Sequence, residues 1–330
     1  MKVNWGVEVA GSGIGVPERV MTNEDWAQRL DTSDEWIVQR TGIRQRRWAA
    51  EHESTLTFAE RASRAALAQA GVTAQDIDLI VCGTITPDHP LPSTSCELQA
   101  ALGCGWVPAF DVVAACSGFV YAMITAAQYL VTGMSRCALV VGADCLTRVC
   151  DMEDRQSAIL FGDGAGAVVL RPSASPETGI LATRMGADGG RAMLIWVPAG
   201  GSREPASLRT VNERLHVMRM KGRDVYKFAV SQMQAVILDT ARDAGVDLRD
   251  VNLLVPHQSN LRIIESACEK LGIPPERVFI NIDRMGNTSA ASVPIAFHEA
   301  RAEGRLRRGD LALLVAFGAG LTWSSVLLRM

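Results

Sequence analysis

Three side chains that could together perform nucleophilic acyl chemistry lie where predicted strands give way to helices. Cys116 follows one apolar strand and opens an apolar helix, His257 ends another apolar strand, and Asn287 opens a helix of small residues. A thiol at a helix start faces unpaired N–H groups and the positive end of the helix dipole, which favour the thiolate. A histidine can move protons near neutral pH, and an asparagine can donate a hydrogen bond to a developing oxyanion without titrating.

Each of these residues also has a purely structural explanation. Buried free cysteines are common in protein cores, so Cys116 taken alone could simply be packed there. His257 could be satisfied by a neighbouring backbone group, and Asn287 suits the N-cap of a helix. Three such residues at the same kind of junction, in different parts of the chain, favour a shared chemical role.

Composition narrows the class of protein. The chain has 330 residues, of which 48% are hydrophobic and 21% charged, and its formal net charge is −3. This near-neutral balance argues against a general nucleic-acid-binding protein. The eight cysteines form no C-x-x-C pair and no metal-ligand spacing with the five histidines, so we expect free thiols, a reducing cytoplasmic setting and no metal site.

Nothing in the sequence favours insertion into a membrane. The N-terminus lacks the apolar segment of a signal peptide. The uncharged stretch 311–328 is interrupted by Gly318 and Gly320, so it predicts two buried strands around a turn rather than a transmembrane helix.

The chain repeats itself at an offset of 174 residues. Residues 70–81 match residues 244–255 at six of twelve positions, and residues 138–141 resemble residues 312–315 at the same offset. Each matched segment begins or forms a predicted buried strand. Self-similarity of this kind indicates a duplicated unit of about half the chain.

The hydrophobic pattern agrees with two similar halves, residues 1–173 carrying the cysteine and residues 174–330 carrying the histidine and the asparagine. Both halves alternate strands and helices and end in two consecutive strands, which implies mostly parallel sheets flanked by helices. Strands are predicted near 5–10, 77–83, 108–113, 137–143 and 159–170, then near 180–186, 251–256, 278–282, 311–317 and 321–328. Helices are predicted near 54–70, 93–102 and 116–132, then near 222–244, 259–271 and 288–303. The polar stretch 188–216 is expected to be an irregular segment on the surface.

The duplication suggests how the three residues could meet. Cys116 and Asn287 both precede the third helix of their halves, and His257 ends a core strand of the second half. Ligand sites of α/β sheets form at strand ends. We therefore expect the three side chains to converge where equivalent helix ends face each other.

Two glycine-rich segments are not interpreted as nucleotide sites. Residues 11–17 follow a strand and are similar to a dinucleotide-binding loop, but the final glycine is missing and Pro17 would stop the helix that follows. Residues 162–166 are expected to form a tight turn near the site.

The assembled motifs resemble those of the thiolase-fold condensing enzymes, and in particular the bacterial β-ketoacyl-acyl carrier protein synthase III family. The resemblance covers the whole chain. The motifs that carry it are DTSDEWIVQRTGIR at 31–44, AACSG at 114–118, FGDGAG at 161–166, VPHQSNLRI at 255–263, GNTS at 286–289 and AFGAG at 316–320.

The resemblance implies an α/β, thiolase-like fold in which duplicated βαβαβαββ halves form a five-layer αβαβα sandwich. It implies a catalytic triad of Cys116, His257 and Asn287. It further implies an oxyanion hole formed by the backbone N–H groups of Cys116 and Ala319, which the flanking glycines allow to approach closely.

The activity implied by the resemblance is the initiation of fatty-acid synthesis. An acyl-CoA acylates Cys116, and decarboxylative condensation with malonyl-acyl carrier protein then gives β-ketoacyl-acyl carrier protein, CoA and CO2. A starter-unit or tailoring acyltransferase of a polyketide-type secondary pathway would share the triad and is the alternative. A binding or scaffold protein with this fold is a third possibility, against which the intact triad argues. Acyl-CoA is a substrate in these schemes, and no cofactor is expected.

The resemblance also assigns the entrance of the site. Trp36 and Arg40 stand four residues apart, on one face of a predicted helix. Together with Arg155 they would contact the adenine and phosphates of CoA. On residue types alone, a solvated helix face with a packing tryptophan is the simpler interpretation.

Protein partners are implied in the same way. Lys227, Arg262 and Lys270 would form a basic patch for the acidic carrier protein. A homodimer is expected in which strands near 108–113 extend one sheet across the two-fold axis.

Two positions near the acyl pocket depart from the pattern of acetyl-selective members. Leu91 stands where many of them have phenylalanine, and it is expected to reach the pocket from the partner subunit. Leucine is smaller and can repack, so we expect primers longer or more branched than acetyl. Ile85 replaces a threonine and works in the opposite direction, because it adds apolar bulk to the pocket.

Overall fold

The computed structural model describes residues 6–330. The strands are β1 (Val7–Gly15), β2 (Val20–Thr22), β3 (Gln45–Arg47), β4 (Leu79–Gly83), β5 (Ala109–Val112), β6 (Ala138–Cys145), β7 (Asp163–Pro172), β8 (Gly179–Ala187), β9 (Ile195–Trp196), β10 (Arg219–Met220), β11 (Leu253–Pro256), β12 (Leu311–Gly318) and β13 (Thr322–Arg329). The α-helices are α1 (Asn23–Ala27), α2 (Asp34–Thr41), α3 (Thr55–Ala70), α4 (Thr94–Leu102), α5 (Gly118–Val131), α6 (Leu208–Asn212), α7 (Gly222–Ala244), α8 (Leu261–Leu271), α9 (Ile282–Met285) and α10 (Ser292–Ala302).

Two mixed sheets organise these elements. The first has the strand order β1-β7-β6-β4-β5, and the second has the order β11-β12-β13-β8. Strands β4, β5 and β6 run parallel, as do β11 and β12, whereas the remaining pairs are antiparallel. Every strand of the first sheet precedes residue 173 and every strand of the second follows residue 174. In each half the last two strands form an antiparallel pair, because no helix separates them.

The sheets and helices alternate in five layers. Helices α5 and α10 lie between the two sheets and contact both of them. Helices α3 and α4 cover the outer face of the first sheet, and α7 and α8 cover that of the second, where side chains of α8 share a hydrophobic cluster with β11 and β12. The central helices are buried along most of their length, as the lack of charge in residues 119–130 predicts.

The glycine-rich segment 11–17 belongs mainly to strand β1 rather than to a loop. Helix α3 lies directly against this strand, so a Cβ on Gly11 would stand 2.5 Å from the carbonyl oxygen of Ala66, and one on Gly13 would stand 2.4 Å from that of Ala62. The glycines therefore serve close strand-to-helix packing. The predicted strand near 5–10 is confirmed from residue 7 onward, and residue 5 lies outside the described part.

The strand predicted near 278–282 is wrong. Val278 makes a single parallel bridge to Leu254, and a short helix begins at Ile282. The side-chain oxygen of Gln258 accepts the N–H groups of Asn281 (3.0 Å) and Ile282 (3.2 Å), which turns the chain away from the sheet. The second sheet consequently has four strands where five were expected.

Other predicted elements differ at their beginnings. The strand predicted near 159–170 begins at Asp163, after an irregular segment. The helices predicted near 116–132 and 288–303 are each entered through a single 3₁₀ turn, Ala115–Ser117 and Ser289–Ala291. These turns shift the first residue of α5 to Gly118 and that of α10 to Ser292.

The uncharged stretch 311–328 forms the antiparallel pair β12 and β13, as predicted. Across residues 6–330, none of the helices combines the length and apolar character needed to span a bilayer.

The segment from residue 188 to residue 220 is more ordered than the irregular surface segment that was expected. Its two short strands, β9 and β10, pair with each other. The N–H of Met218 donates to the carbonyl oxygen of Val149 (2.7 Å), and the buried carboxylate of Asp151 binds the guanidinium groups of Arg214 and Arg219. We call residues 188–220 the flap, because it lies over the cavity described next.

Candidate active site

The three candidate catalytic side chains line one cavity of about 750 Å3. Cys116 comes from the first half of the chain, and His257 and Asn287 come from the second. The wall between them includes Phe161, Phe317 and the turn 318–320, and the flap adds Trp196, Val197, Met218 and Met220. A cavity of this size with few polar groups is typical of a ligand site.

Cys116 lies in the 3₁₀ turn that connects β5 to α5. Burial raises the pKa of its thiol to about 12, although the nearby Ser289 hydroxyl opposes the rise. This rise opposes the thiolate that a position at a helix start is expected to favour. Helix α5 is enclosed by both sheets, and desolvation of the thiol is the largest cause of its raised pKa.

His257 follows β11 and is 1% exposed. Its backbone N–H donates to the carbonyl oxygen of Val315 (2.7 Å), and its ring meets that of Phe317 edge-on at 5.5 Å between centroids. Within residues 6–330, its Nδ1 has no hydrogen-bond partner. Burial lowers the pKa of the imidazole to about 3, so the ring is neutral near pH 7. The backbone hydrogen-bond partner that a purely structural histidine would have is therefore missing at Nδ1.

Asn287 is fixed by backbone pairing with the segment that precedes β7. Its N–H donates to the carbonyl oxygen of Leu160 (2.8 Å), and its own carbonyl oxygen accepts the N–H of Gly162 (3.0 Å). Its side-chain oxygen accepts the N–H of Ser289 (2.9 Å), as a turn cap would. With the oxygen occupied, the NH₂ group is the part of the amide that remains to donate to a ligand.

The turn after β12 approaches the backbone of Cys116 closely. A Cβ on Gly318 would stand 2.6 Å from the backbone nitrogen of Cys116, so only glycine allows this approach. Ala319 follows immediately and lines the cavity. The residue before Ala319 therefore meets the backbone of Cys116, and Ala319 itself lines the same cavity.

Trp36, Arg40 and Arg155 line the solvent-exposed end of the same cavity. The guanidinium carbon of Arg40 lies 4.6 Å from the centroid of the Trp36 ring, and that of Arg155 lies 5.2 Å from it. Arg155 also donates to the backbone oxygen (2.7 Å) and the carboxylate (3.0 Å) of Asp31. An aromatic face beside two cations suits a ligand that carries both a ring and phosphates.

The three basic residues predicted to bind a carrier protein are all exposed. Arg262 lines the cavity and, with Gln39 and Arg40, a smaller adjoining depression. Lys227 lies on α7 and Lys270 near the end of α8, and neither lines the cavity. The two helices pack together and are joined by a hydrogen bond of 2.8 Å between Tyr226 and Ser266.

The two predicted acyl-pocket residues occupy different environments. Ile85 lines the cavity, and its N–H donates to the Asp144 carboxylate (2.9 Å). Leu91 is 83% exposed and does not line the cavity of its own chain. Any contact of Leu91 with an acyl group must therefore be made from a partner subunit.

Sequence reasoning missed three residues that organise the site. Asp144 is fully buried and accepts hydrogen bonds from Thr84, Ile85 and Thr86 of the first half and from the N–H of Ala290 of the second. A single charge in the otherwise uncharged strand β6 was the available signal. Ser289 lines the cavity beside Cys116.

Arg46 is the third missed residue. It is fully buried and donates to the carbonyl oxygens of Met21 (3.2 Å) and Ile159 (2.5 Å) and to the side chain of Asn23 (2.8 Å). It thereby holds the segment that pairs with Asn287. In the sequence nothing distinguishes it from the nearby arginines Arg44 and Arg47.

Two family models match this chain. Residues 110–189 match the family model for 3-oxoacyl-[acyl-carrier-protein (ACP)] synthase III, and residues 241–330 match the model for its C-terminal part. The chain is 51% identical to a beta-ketoacyl-[acyl-carrier-protein] synthase III of Symbiobacterium thermophilum, over 98% of each chain. The chain belongs to the 3-oxoacyl-[acyl-carrier-protein] synthase III family.

Solved structures agree with this assignment. The crystal structure of 3-oxoacyl-[acyl-carrier-protein] synthase III from Aquifex aeolicus is 45% identical, has a TM-score of 0.92, and is matched over 98% of this chain and 100% of that one. The priming beta-ketosynthase of the R1128 polyketide pathway is 34% identical, with a TM-score of 0.91, and is matched over 100% of this chain and 98% of that one.

The predicted fold and activity are confirmed by these relationships. The fold is the α/β, thiolase-like fold of the synthase III family, and the chain is an acyltransferase of the condensing type that initiates fatty-acid synthesis. The secondary-pathway alternative is not favoured, because the polyketide enzyme is 34% identical, whereas the synthases from Symbiobacterium thermophilum and Aquifex aeolicus are 51% and 45% identical.

Proposed function

We propose that this synthase forms a covalent acyl-Cys116 from acyl-CoA and condenses it with malonyl-acyl carrier protein, using His257 and Asn287 as the catalytic partners. The observation that carries the proposal is that one cavity presents a buried thiol, a neutral imidazole and an amide NH₂ group. This set supplies a nucleophile, a proton acceptor and an oxyanion donor.

In the acylation step the proton of the Cys116 thiol passes to His257 as the sulfur attacks the thioester carbon, and the negative charge that develops beside the ring stabilises the imidazolium despite its burial. The pKa of the thiol is raised to about 12, so attack without a base would be slow near pH 7. The tetrahedral oxyanion accepts hydrogen bonds from the N–H groups of Cys116 and Ala319. The C–S bond to CoA then breaks, and the departing CoA thiolate takes the proton from the imidazolium. The products are acyl-Cys116 and free CoA.

In the condensation step malonyl-acyl carrier protein loses CO₂ and forms an enolate. The neutral imidazole of His257 and the amide of Asn287 donate hydrogen bonds to the enolate oxygen. The enolate carbon attacks the acyl carbonyl of Cys116, the C–S bond of the acyl-enzyme breaks to release β-ketoacyl-acyl carrier protein, and the Cys116 thiolate takes up a proton from water. Because an uncharged imidazole can donate without releasing its proton, its low pKa suits this role.

The substrate-binding roles rest on the exposed end of the cavity. Trp36, Arg40 and Arg155 would hold the adenine and phosphates of CoA. Arg262 stands beside Arg40 at the same opening, so a carrier protein bound there could deliver its prosthetic arm directly into the cavity. Lys227 and Lys270, on the adjoining helices, would complete the basic surface that faces the acidic partner.

The proposal also covers the compartment, the oligomeric state and the cofactor requirement of the enzyme. We expect a cytoplasmic homodimer that needs no resident cofactor. All eight cysteines fall within the described residues and are free thiols, which suits a reducing compartment. Dimer formation through β5 would place Leu91 of one subunit near the pocket of the other.

The decisive test is intact-protein mass spectrometry with a panel of acyl-CoA thioesters, with and without malonyl-acyl carrier protein. The wild-type protein should gain the mass of one acyl group and lose it when malonyl-acyl carrier protein is added. Cys116→Ala should gain nothing, whereas the control Cys145→Ala, which removes another buried free thiol, should be acylated normally. Acylation that persists in Cys116→Ala would disprove the assignment of the nucleophile.

A further inference from the structure

The Ser289 hydroxyl is a buried polar group that the reaction described above does not use. Ser289 is 0% exposed and lines the cavity with Cys116. Its Oγ has no well-aligned hydrogen-bond partner within the described chain. Leaving a buried hydroxyl unpaired is unfavourable, so such a group at a ligand cavity indicates a bond that forms only in another state of the site.

The backbone of Ser289 is held in a conformation that few residues adopt. Its φ is +51°, in the left-handed region, and its N–H is bonded to the side-chain oxygen of Asn287 (2.9 Å). Strained residues of this kind persist where the surroundings determine them, and they concentrate at active sites. The strain fixes the position of the side chain, while the hydroxyl hydrogen remains free to rotate.

Two acceptors lie near this hydroxyl: Cys116, whose 3₁₀ turn packs against the turn that Ser289 begins, and the Asp144 carboxylate, which binds the N–H of the adjacent Ala290. The proximity of the hydroxyl lowers the pKa of both groups, in opposition to the larger effect of burial. One oxygen of Asp144 already accepts bonds from the residue 84–86 turn, and the other accepts the N–H of Ala290 (3.1 Å). Both carboxylate oxygens are therefore satisfied without Ser289, and the hydroxyl remains available to another acceptor.

We propose that the Ser289 hydroxyl donates a hydrogen bond to the Cys116 sulfur when the thiol ionises, and that it stabilises the thiolate both as it attacks and as it leaves. The role deepens the proposed function and rests on Cys116 being the nucleophile. No proton is transferred to or from Ser289; the thiol proton goes to His257. The hydroxyl supplies the thiolate stabilisation that burial otherwise opposes.

Alkylation of Cys116 by iodoacetamide, followed by mass spectrometry over a range of pH, measures thiolate formation without any acyl substrate. Ser289→Ala should slow alkylation roughly tenfold to a hundredfold at pH 8, as expected when a hydrogen bond to a charged group is lost. Its rate profile should shift to higher pH by one unit or more. Asp144 and His257, the titratable groups that face the thiol, are retained in this variant.

The matched control is Ser117→Ala. Ser117 is also fully buried with an unpaired hydroxyl, and it adjoins Cys116 in the chain, but it does not line the cavity. This variant should keep the wild-type profile. Alanine is compatible with the Ser289 backbone, since Ala115 has a φ of +48°. Should Ser289→Ala fail to fold, Ser289→Gly makes the same deletion and relieves the strain.

The outcomes separate this inference from the proposed function. Wild-type alkylation kinetics in a folded Ser289→Ala or Ser289→Gly would overturn the inference. An equal slowing in Ser117→Ala would also overturn it, because the effect would then reflect packing alone. Slower alkylation of Cys116 in a protein that no acyl-CoA acylates would uphold the inference and reject the proposed function instead.

Discussion

Ala115 and Ser289 lie 174 residues apart and have almost the same left-handed φ, +48° and +51°. Each begins the 3₁₀ turn that leads into a central helix, α5 in the first half and α10 in the second. The offset is the one at which the sequence repeats. The two turns face each other, and the cavity forms where they meet, with the nucleophile beside one and the oxyanion donor beside the other.

The buried imidazole predicts a loss of stability in mild acid. The unfolded state binds a proton at His257 below about pH 6.5, whereas the folded state resists protonation down to about pH 3. The free energy of unfolding should therefore fall by about 1.4 kcal/mol for each pH unit below 6.5 from this residue alone. Denaturant unfolding of the wild type and His257→Asn between pH 7 and pH 5 measures the difference in slope.

His52→Asn is the control for that experiment, since His52 is exposed. It should keep the wild-type slope, and His257→Asn should flatten it. Identical slopes in all three proteins would show that the imidazole is not buried in its neutral form.

The raised pKa of the Cys116 thiol predicts different defects for the two partner residues. His257→Ala should slow self-acylation by acyl-CoA about tenfold or more at pH 7, because the proton acceptor is lost, and raising the pH should restore part of the rate. Asn287→Ala should be acylated nearly as fast as the wild type, yet lose roughly 10²–10³ in the rate of condensation. Single-turnover mass spectrometry separates the two steps.

This division of labour has a clear counter-result. Normal self-acylation of His257→Ala at pH 7 would mean that the helix start alone ionises the thiol, despite its burial.

The edge of the first sheet predicts where a second subunit joins. The N–H groups of Ile80 and Thr84 in β4 and its flank bond to the carbonyl oxygens of Pro108 and Val112, so the backbone groups of Ala109 point away from β4. Ala109→Pro removes an outward N–H and should weaken the dimer, whereas Ala109→Ser retains the N–H and should not. Light scattering at micromolar concentration reports the mass, and a fully active wild-type monomer would refute the proposed interface.

The replacement of phenylalanine by Leu91 predicts a preference for primers longer than acetyl. Pocket discrimination of one or two methylenes is typically worth about 1–3 kcal/mol, enough to reverse a preference. Leu91→Phe should selectively reduce kcat/KM for isobutyryl- and octanoyl-CoA, with acetyl-CoA little affected. If acetyl-CoA is preferred by the wild type more than about tenfold, or about 1.4 kcal/mol, the argument from Leu91 is wrong and Ile85 dominates the pocket.

The sequence predicts where strands are followed by helices, because both elements produce a local periodicity of apolar residues. Cys116, His257 and Asn287 each follow such a pattern, and they line one cavity. The ionisation of the thiol was not predictable in the same way. Its pKa depends on burial of α5 between two sheets, and no local pattern records how much water that packing removes.

The sequence alone also did not identify the residues that connect the two halves. Asp144 binds the 84–86 turn and Ala290, partners that only the folded chain brings to it. The apolar run 278–282 has the composition of a strand, but Gln258 captures the backbone N–H groups that a sheet would need. Tertiary hydrogen bonds decided these cases against local preference.

The order of β8 and β13 in the second sheet affects when the enzyme can first react. Strand β8 lies at the edge of that sheet and pairs there with β13, although β8 ends at Ala187 and β13 begins only at Thr322. During synthesis Cys116 leaves the ribosome long before β13 does. The turn 318–320, which meets the cysteine backbone, is anchored between β12 and β13. A nascent chain that has emerged only as far as α10 therefore carries Cys116 without the turn that meets its backbone, and without the Ala319 N–H that we propose as an oxyanion donor.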